Sequence, residues 1–211
     1  MKVAIILFNI NLKEFSLDSY FKIGCDGGAL NATQNNINLD LSIGDFDSIN
    51  KEEFELIKNN SKQIIKLNPI KDKTDVEETI EYAKNISDDI TIFGGIQGKR
   101  IEHFLSIINI FNKYENLKLI DNNSLIFKIP NKFEFRKDDY KDYKFVSFFS
   151  FNENYNISLN GFKYDLDNKN ITKLDSSLLI SNEMKENNLS VITNKDIFII
   201  FSKLDNINNI A

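Results

Sequence analysis

Short apolar runs alternate with helical stretches along the first 120 residues of this chain, and then the alternation stops. The runs Val3–Phe8, Phe21–Cys25, Leu39–Ile43, Gln63–Leu67, Ile90–Phe93 and Leu117–Ile120 read as strands. Helix signals fall between them at Ala29–Asn35, Lys51–Asn59, Asp75–Asn85 and Ile101–Tyr114. Such alternation builds βαβ units, hence a parallel sheet covered on both faces. From Ser124 on, the period drops to two, in Ser124–Lys128, Phe133–Phe135, Lys144–Phe149, Asn156–Ser158, Leu178–Ser181, Leu189–Thr193 and Ile197–Phe201. Clusters of Asn, Asp, Gly and Lys separate these runs, which is turn chemistry. The expected fold class is therefore α/β: an N-terminal parallel-sheet domain, residues 1–121, then a C-terminal antiparallel β-domain, residues 122–211. The polar triplet Asp121–Asn123 marks the boundary.

Charge narrows the partners. A net charge of −5 argues against a nucleic-acid backbone, so a phosphate-bearing ligand needs local cations or a metal. One cysteine among 211 residues makes no internal disulfide, which fits a reducing compartment. The opening run Val3–Phe8 is too short to span a membrane and has no basic leader. The expectation is a cytoplasmic protein with no membrane partner.

Four segments carry chemistry, all at strand ends or helix starts. In Cys25-Asp26-Gly27-Gly28-Ala29, two glycines after a strand allow a sharp turn beside a ligand, or simply a strand-to-helix turn. In Gly44-Asp45-Phe46-Asp47, aspartates two apart on an extended chain face one cation together; the alternative is a solvated Asx turn. Like charges this close at the end of an apolar strand are costly without a cation. In Lys71-Asp72-Lys73-Thr74-Asp75, Thr74 and Glu77 match a capping box, so a helix starts here. Asp75 then either complements the helix dipole or joins the metal, with Lys71 or Lys73 near phosphates. In Gly94-Gly95-Ile96-Gln97-Gly98-Lys99-Arg100-Ile101-Glu102-His103, a glycine loop runs into a helix, a natural anion site, and Arg100 is the strongest phosphate ligand. This loop has neither Walker A spacing nor the dinucleotide GxGxxG. His103 reads as structural.

The order of these segments resembles the thiamine pyrophosphokinase family: CDGGA, IGDFDS, KDKTD, then G-x-x-G-x-R-x-[DE]-H at Gly95–His103. Gly161–Leu166 is similar to the family's GLKYPL segment, and Ile180–Glu183 to its VSNE segment. The resemblance spans nearly the whole chain. It implies an α/β nucleotide-binding half and a β-sandwich half, in a homodimer whose partner completes the thiamine site. It implies diphosphate transfer from ATP to thiamine, releasing AMP. Asp45, Asp47 and Asp75 would hold Mg²⁺ and, with Arg100, make up the catalytic set. Asp26, Gly27, Lys71, Asp72, Thr74, Gly98 and Arg100 would line the ATP side, and Ser181 and Asn182 the thiamine pocket. The proton acceptor stays open between Asp72 and Asp75. Three positions depart from the family: Glu102 for the usual Asp, Lys99 for a glycine, and Ile107 where Asn is common. The rival readings are a non-catalytic thiamine or nucleotide binder and a metal-dependent nucleotide-sugar transferase.

Overall fold

The computed structural model describes residues 1–97, 100–151 and 154–204. The chain divides into two compact units, Met1–Asn122 and Asn123–Ala211. The first unit contains strands β1 (Lys2–Ile6), β2 (Tyr20–Cys25), β3 (Leu41–Gly44), β4 (Ile64–Lys66), β5 (Asp89–Phe93) and β6 (Leu117–Ile120). Its helices are α1 (Gly27–Gln34), α2 (Lys51–Asn60), α3 (Asp75–Lys84) and α4 (Ile101–Lys113). The strands pair in parallel in the order β4-β3-β2-β1-β5-β6.

This order carries the chain from β1 out to β4, after which α3 takes it back across the sheet to β5. Right-handed crossovers then place α1 and α2 on one face, α3 and α4 on the other. The reversal opens a crevice at the carboxyl ends of the strands. Ala4 and Ile6 of β1 meet Ala29, Ala32 and Ile57 in one core. Alternation turns Val3 and Ile5 to the opposite face, where α3 packs across β1, β2 and β3. Helix α1 lies unusually close to the sheet. A Cβ on Gly28 would sit 1.9 Å from the Ile6 carbonyl oxygen, so no larger residue fits.

The second unit contains β7 (Ser124–Ile129), β8 (Lys132–Arg136), β9 (Phe145–Phe149), β10 (Asn154–Asn160), β11 (Leu166–Thr172), β12 (Asn188–Thr193) and β13 (Ile197–Ser202). All their pairings are antiparallel: β13 lies between β7 and β9, and a second sheet runs β11-β10-β12-β8. One core joins the two, with Val146, Phe148 and Phe201 from the first sheet against Phe135, Ile157 and Val191 from the second. Two sheets closed over one core make a β-sandwich.

Two local expectations change. Leu178–Ser181 is not a strand: Lys173–Leu179 forms a 3₁₀ turn, and the left-handed Ser181 (φ 58°) interrupts extension. Strand β11 went unforeseen, because its sequence LDNKNIT buries Ile171 but leaves four consecutive polar residues exposed.

Candidate active site

The four segments singled out in the first half of the sequence follow the carboxyl ends of β2, β3, β4 and β5. Asp26 follows β2 at φ 46°, ψ −123°, a region costly for any residue with a side chain. Its N–H donates to the Ile43 carbonyl at 2.8 Å. Gly44 permits this approach, since a Cβ there would lie 2.9 Å from Asp26 Cα. Asp26 Oδ1 is sealed from solvent and has no hydrogen-bond partner among the described residues. Burial raises the Asp26 pKa; the Gly27 N–H opposes this, and Asp75, Asp45 and Asp47 push it higher. Neighbouring Cys25 is buried, and that burial pushes its thiol up to about 12, which makes it an inert core residue.

Asp45 and Asp47 do not sit on an extended chain. Strand β3 ends at Gly44, and Phe46 turns into the left-handed region at φ 57°. The Phe46 ring is buried against Phe54, with centroids 5.2 Å apart, so the aspartates straddle a core anchor. Asp45 Oδ1 accepts the Asp47 N–H at 3.1 Å, an Asx turn that leaves Asp47 exposed and Asp45 half-buried.

Lys71 fills the space between carboxylates. Its Nζ lies 3.0 Å from Asp75 Oδ1 and 3.5 Å from Asp45 Oδ2, and donates to the Asn68 carbonyl at 3.3 Å. Desolvation lowers the Lys71 pKa, but Asp75 and Asp45 outweigh it and leave it raised. Lys73 turns elsewhere, to Glu81 at 2.6 Å. Thr74 caps α3 by accepting the Glu77 N–H at 3.2 Å. The reciprocal half of the capping box does not form, because the Glu77 carboxylate pairs with Lys113 at 2.6 Å. Asp72 is exposed. Among the described residues, no group of three or more His, Cys, Asp or Glu side chains stands at metal-binding spacing. The site still suits Mg²⁺, which takes one or two carboxylates and fills its octahedron with water and phosphate oxygens. The sealed, partnerless oxygen of Asp26 beside them favours a cation.

Gly94 and Gly95 follow β5 with φ of 93° and 86°. A Cβ on Gly95 would strike Ile107 Cδ1 at 2.7 Å and Leu7 Cδ1 at 2.8 Å. Gly98 and Lys99 lie outside the described residues. Arg100 is the N-cap of α4 without capping it through its side chain; its Nε pairs with Glu102 Oε1 at 2.7 Å, both groups exposed. A cavity of about 230 Å³ opens between the starts of α3 and α4, lined by Thr74, Val76, Arg100, Glu102, His103, Ser106 and Ile107. His103 meets Phe8 edge-on at 6.0 Å, and its Nε2 is buried with no hydrogen-bond partner among the described residues. A larger cleft of about 440 Å³ lies on the sandwich near Glu134, Arg136 and Asn188, and none of the expected site residues lines it.

In the sandwich, Ser181 and Asn182 play different parts. Ser181 is exposed, its N–H held by Ser147 Oγ at 2.9 Å. Asn182 is buried and its amide makes hydrogen bonds through both Oδ1 and Nδ2. Oδ1 accepts the Tyr164 and Glu183 N–H groups at 3.0 and 2.9 Å, and Nδ2 donates to the Tyr164 carbonyl at 2.8 Å. Its backbone bridges Val146 of β9 in both directions. Asn182 therefore shapes the turn that presents Ser181. Glu183 reinforces that turn by pairing with Lys144 and Lys163, which hold its carboxyl at about 2.

The model of the thiamin pyrophosphokinase catalytic domain matches residues 12–120, and that of the thiamin pyrophosphokinase vitamin B1 binding domain matches residues 131–198. The chain belongs to the thiamine pyrophosphokinase family. It is 36% identical over 168 residues to the thiamine pyrophosphokinase of Bacillus subtilis (strain 168), covering 77% of each chain. The crystal structure of thiamine pyrophosphokinase from Bacillus subtilis matches with a TM-score of 0.84 at 29% identity, over 96% of this chain and 99% of that one. Thiamin pyrophosphokinase from Geobacillus thermodenitrificans shares the fold at 22% identity, with a TM-score of 0.82 over 98% and 99%. Of this chain's departures from the family pattern, Ile107 is buried against the Gly94–Gly95 turn, and Glu102 is tied to Arg100. Sequence reasoning missed three features: the left-handed Phe46, the strained Asp26, and the ammonium of Lys71 between two aspartates. An apolar residue between two aspartates was a readable sign of the first. The other two depend on strands distant in sequence lying side by side.

Proposed function

We propose that this chain transfers the diphosphate group of ATP to the hydroxyl of thiamine, giving thiamine diphosphate and AMP. The observation that carries the reading is the convergence of Asp26, Asp45 and Asp75 with Lys71 at the carboxyl ends of a parallel sheet. Transfer of this kind asks for positioning and charge neutralisation rather than covalent chemistry. Asp45, Asp47 and Asp75 would hold Mg²⁺, which when bound neutralises charge on the phosphates. Lys71 and Arg100 bring positive charge to the transferred group and to the departing AMP. The N-terminus of α4, uncapped by a side chain, adds partial positive charge on the same side. Asp26, Gly27, Asp72 and Thr74 complete the nucleotide side. A loose transition state places little demand on a general base, and none is assigned.

The homodimer also belongs to this proposal, with Ser181 of one subunit facing thiamine bound at the carboxylates of the other. In its support, Phe149, Phe151 and Ile180 are exposed on the sandwich, and the Phe149 and Phe151 rings meet edge-on at 5.1 Å. Apolar and aromatic walls suit an aromatic cation. The lone buried thiol is consistent with work in the cytoplasm. Chromatography of a reaction containing the protein, ATP, Mg²⁺ and thiamine tests the function. Thiamine diphosphate and AMP in equal amounts support it. Thiamine binding without AMP release would instead identify a non-catalytic binder.

A further inference from the structure

We infer that Lys71 is a built-in counter-ion: its ammonium holds Asp45 and Asp75 together before a divalent cation arrives, and the cation displaces it. This rests on the reading of those aspartates as metal ligands and adds a role for the ammonium in the metal-free protein. Three oxygens lie near Nζ: the Asn68 carbonyl, which accepts its hydrogen bond at 3.3 Å, and Asp75 Oδ1 at 3.0 Å and Asp45 Oδ2 at 3.5 Å as ion-pair contacts. Asp75 Oδ1 is sealed and, among the described residues, has no hydrogen bond of its own. Asn68 and Asp75 lie within four residues of Lys71 on the stretch that joins β4 to α3, while Asp45 comes from the exit of β3, so the ammonium ties that stretch to the exit of β3. The Lys71 and Asp45 side chains are only 15% and 12% exposed, so the pairing is less screened than one at the surface. Without a cation, these carboxylates and the sealed Asp26 oxygen would repel one another.

A divalent cation competes for the same oxygens. Mg²⁺ binds carboxylate oxygen at about 2.1 Å, closer than an ammonium approaches, and at that distance its charge repels the ammonium seated on the same two carboxylates. Lysine is suited to yield, since its charge rides on a flexible four-carbon stem with rotatable donors. Once released, it takes phosphate oxygens as partners. Metal alone therefore binds weakly, and metal arriving with a nucleotide binds well.

Titration calorimetry with Mn²⁺ alone, without nucleotide, tests this. Lys71→Met should bind Mn²⁺ at least about tenfold more tightly than the unsubstituted protein, because no ammonium has to be displaced. Metal-free Lys71→Met should also melt at a lower temperature and recover when Mn²⁺ is added. A measurement on the unsubstituted protein covers the case in which the variant misfolds. Mn²⁺ should raise acylation of Lys71 by an amine-reactive reagent several-fold, read by mass spectrometry, and leave Lys73 unchanged. Equal or weaker Mn²⁺ binding by Lys71→Met, or Lys71 acylation that Mn²⁺ leaves unchanged or lowers, overturns the inference. Asp75→Asn separates this failure from a deeper one. If that variant binds Mn²⁺ as well as the unsubstituted protein, the metal assignment falls and takes the inference with it.

Discussion

Asp45 and Asp47 stand on either side of one buried phenylalanine, and that arrangement decides what their replacement does. Asp45→Asn and Asp47→Asn should each reduce turnover about a hundredfold or more. The fold should survive, and the unfolding midpoint should hold or rise as like-charge repulsion is relieved. Steady-state rates at low Mg²⁺ beside denaturant titrations check both halves, and near-normal turnover in either variant would contradict the metal role. Gly44→Ala acts indirectly. Its Cβ would sit 2.9 Å from Asp26 Cα, so Asp26 must move. Overpacking of this sort costs about 1–3 kcal/mol, and both thermal midpoint and turnover should fall; an unchanged rate would show that Asp26 need not be held there. The aspartates were legible in the sequence because each follows an apolar strand, where open α/β sheets place their ligands. The pairing of Lys71 with Asp45 was not legible, since they lie 26 positions apart with all of α2 between them.

At the scale of elements, α3 must be held firmly, because its first residue is Asp75. Glu81 clamps it: the carboxylate takes Lys73 at 2.6 Å, the Tyr114 hydroxyl at 2.5 Å and Lys113 at 3.3 Å. These partners, Lys73 foremost, hold the Glu81 carboxyl down at about 2, against an ordinary 4.5. A carboxyl depressed in the folded state stabilises above its unfolded pKa and loses that contribution as pH falls through the folded one. Glu81→Gln should therefore lower stability at pH 7, and the gap to the unsubstituted protein should shrink between about pH 4.5 and pH 2. Urea unfolding across that range measures it, and a gap independent of pH would show that the ion pairs contribute nothing. The pair is partly solvated, so the effect should be modest. The βα alternation was legible because buried parallel strands read as unbroken apolar runs. Strand β11 was not, because an edge strand of polar residues leaves no period in the sequence.

For the whole molecule, the fold class was readable from the change of period after Ile120, while the assembly rests on the proposal alone. Shared sites predict complementation. Asp75→Asn removes one of the proposed metal ligands, and Ser181→Tyr blocks the exposed turn without touching the hydrogen-bonded amide of Asn182. Refolded together, the two inactive variants should form mixed dimers with one intact site and regain activity. If mixed dimers are verified by mass and stay inactive, each subunit builds its own site. The transfer itself is tested most directly by a single turnover on ATP labelled separately at the β- and γ-phosphorus. The account predicts that both labels move together onto thiamine, leaving unlabelled AMP. Transfer of the γ-label alone, with the β-label retained in ADP, would contradict it.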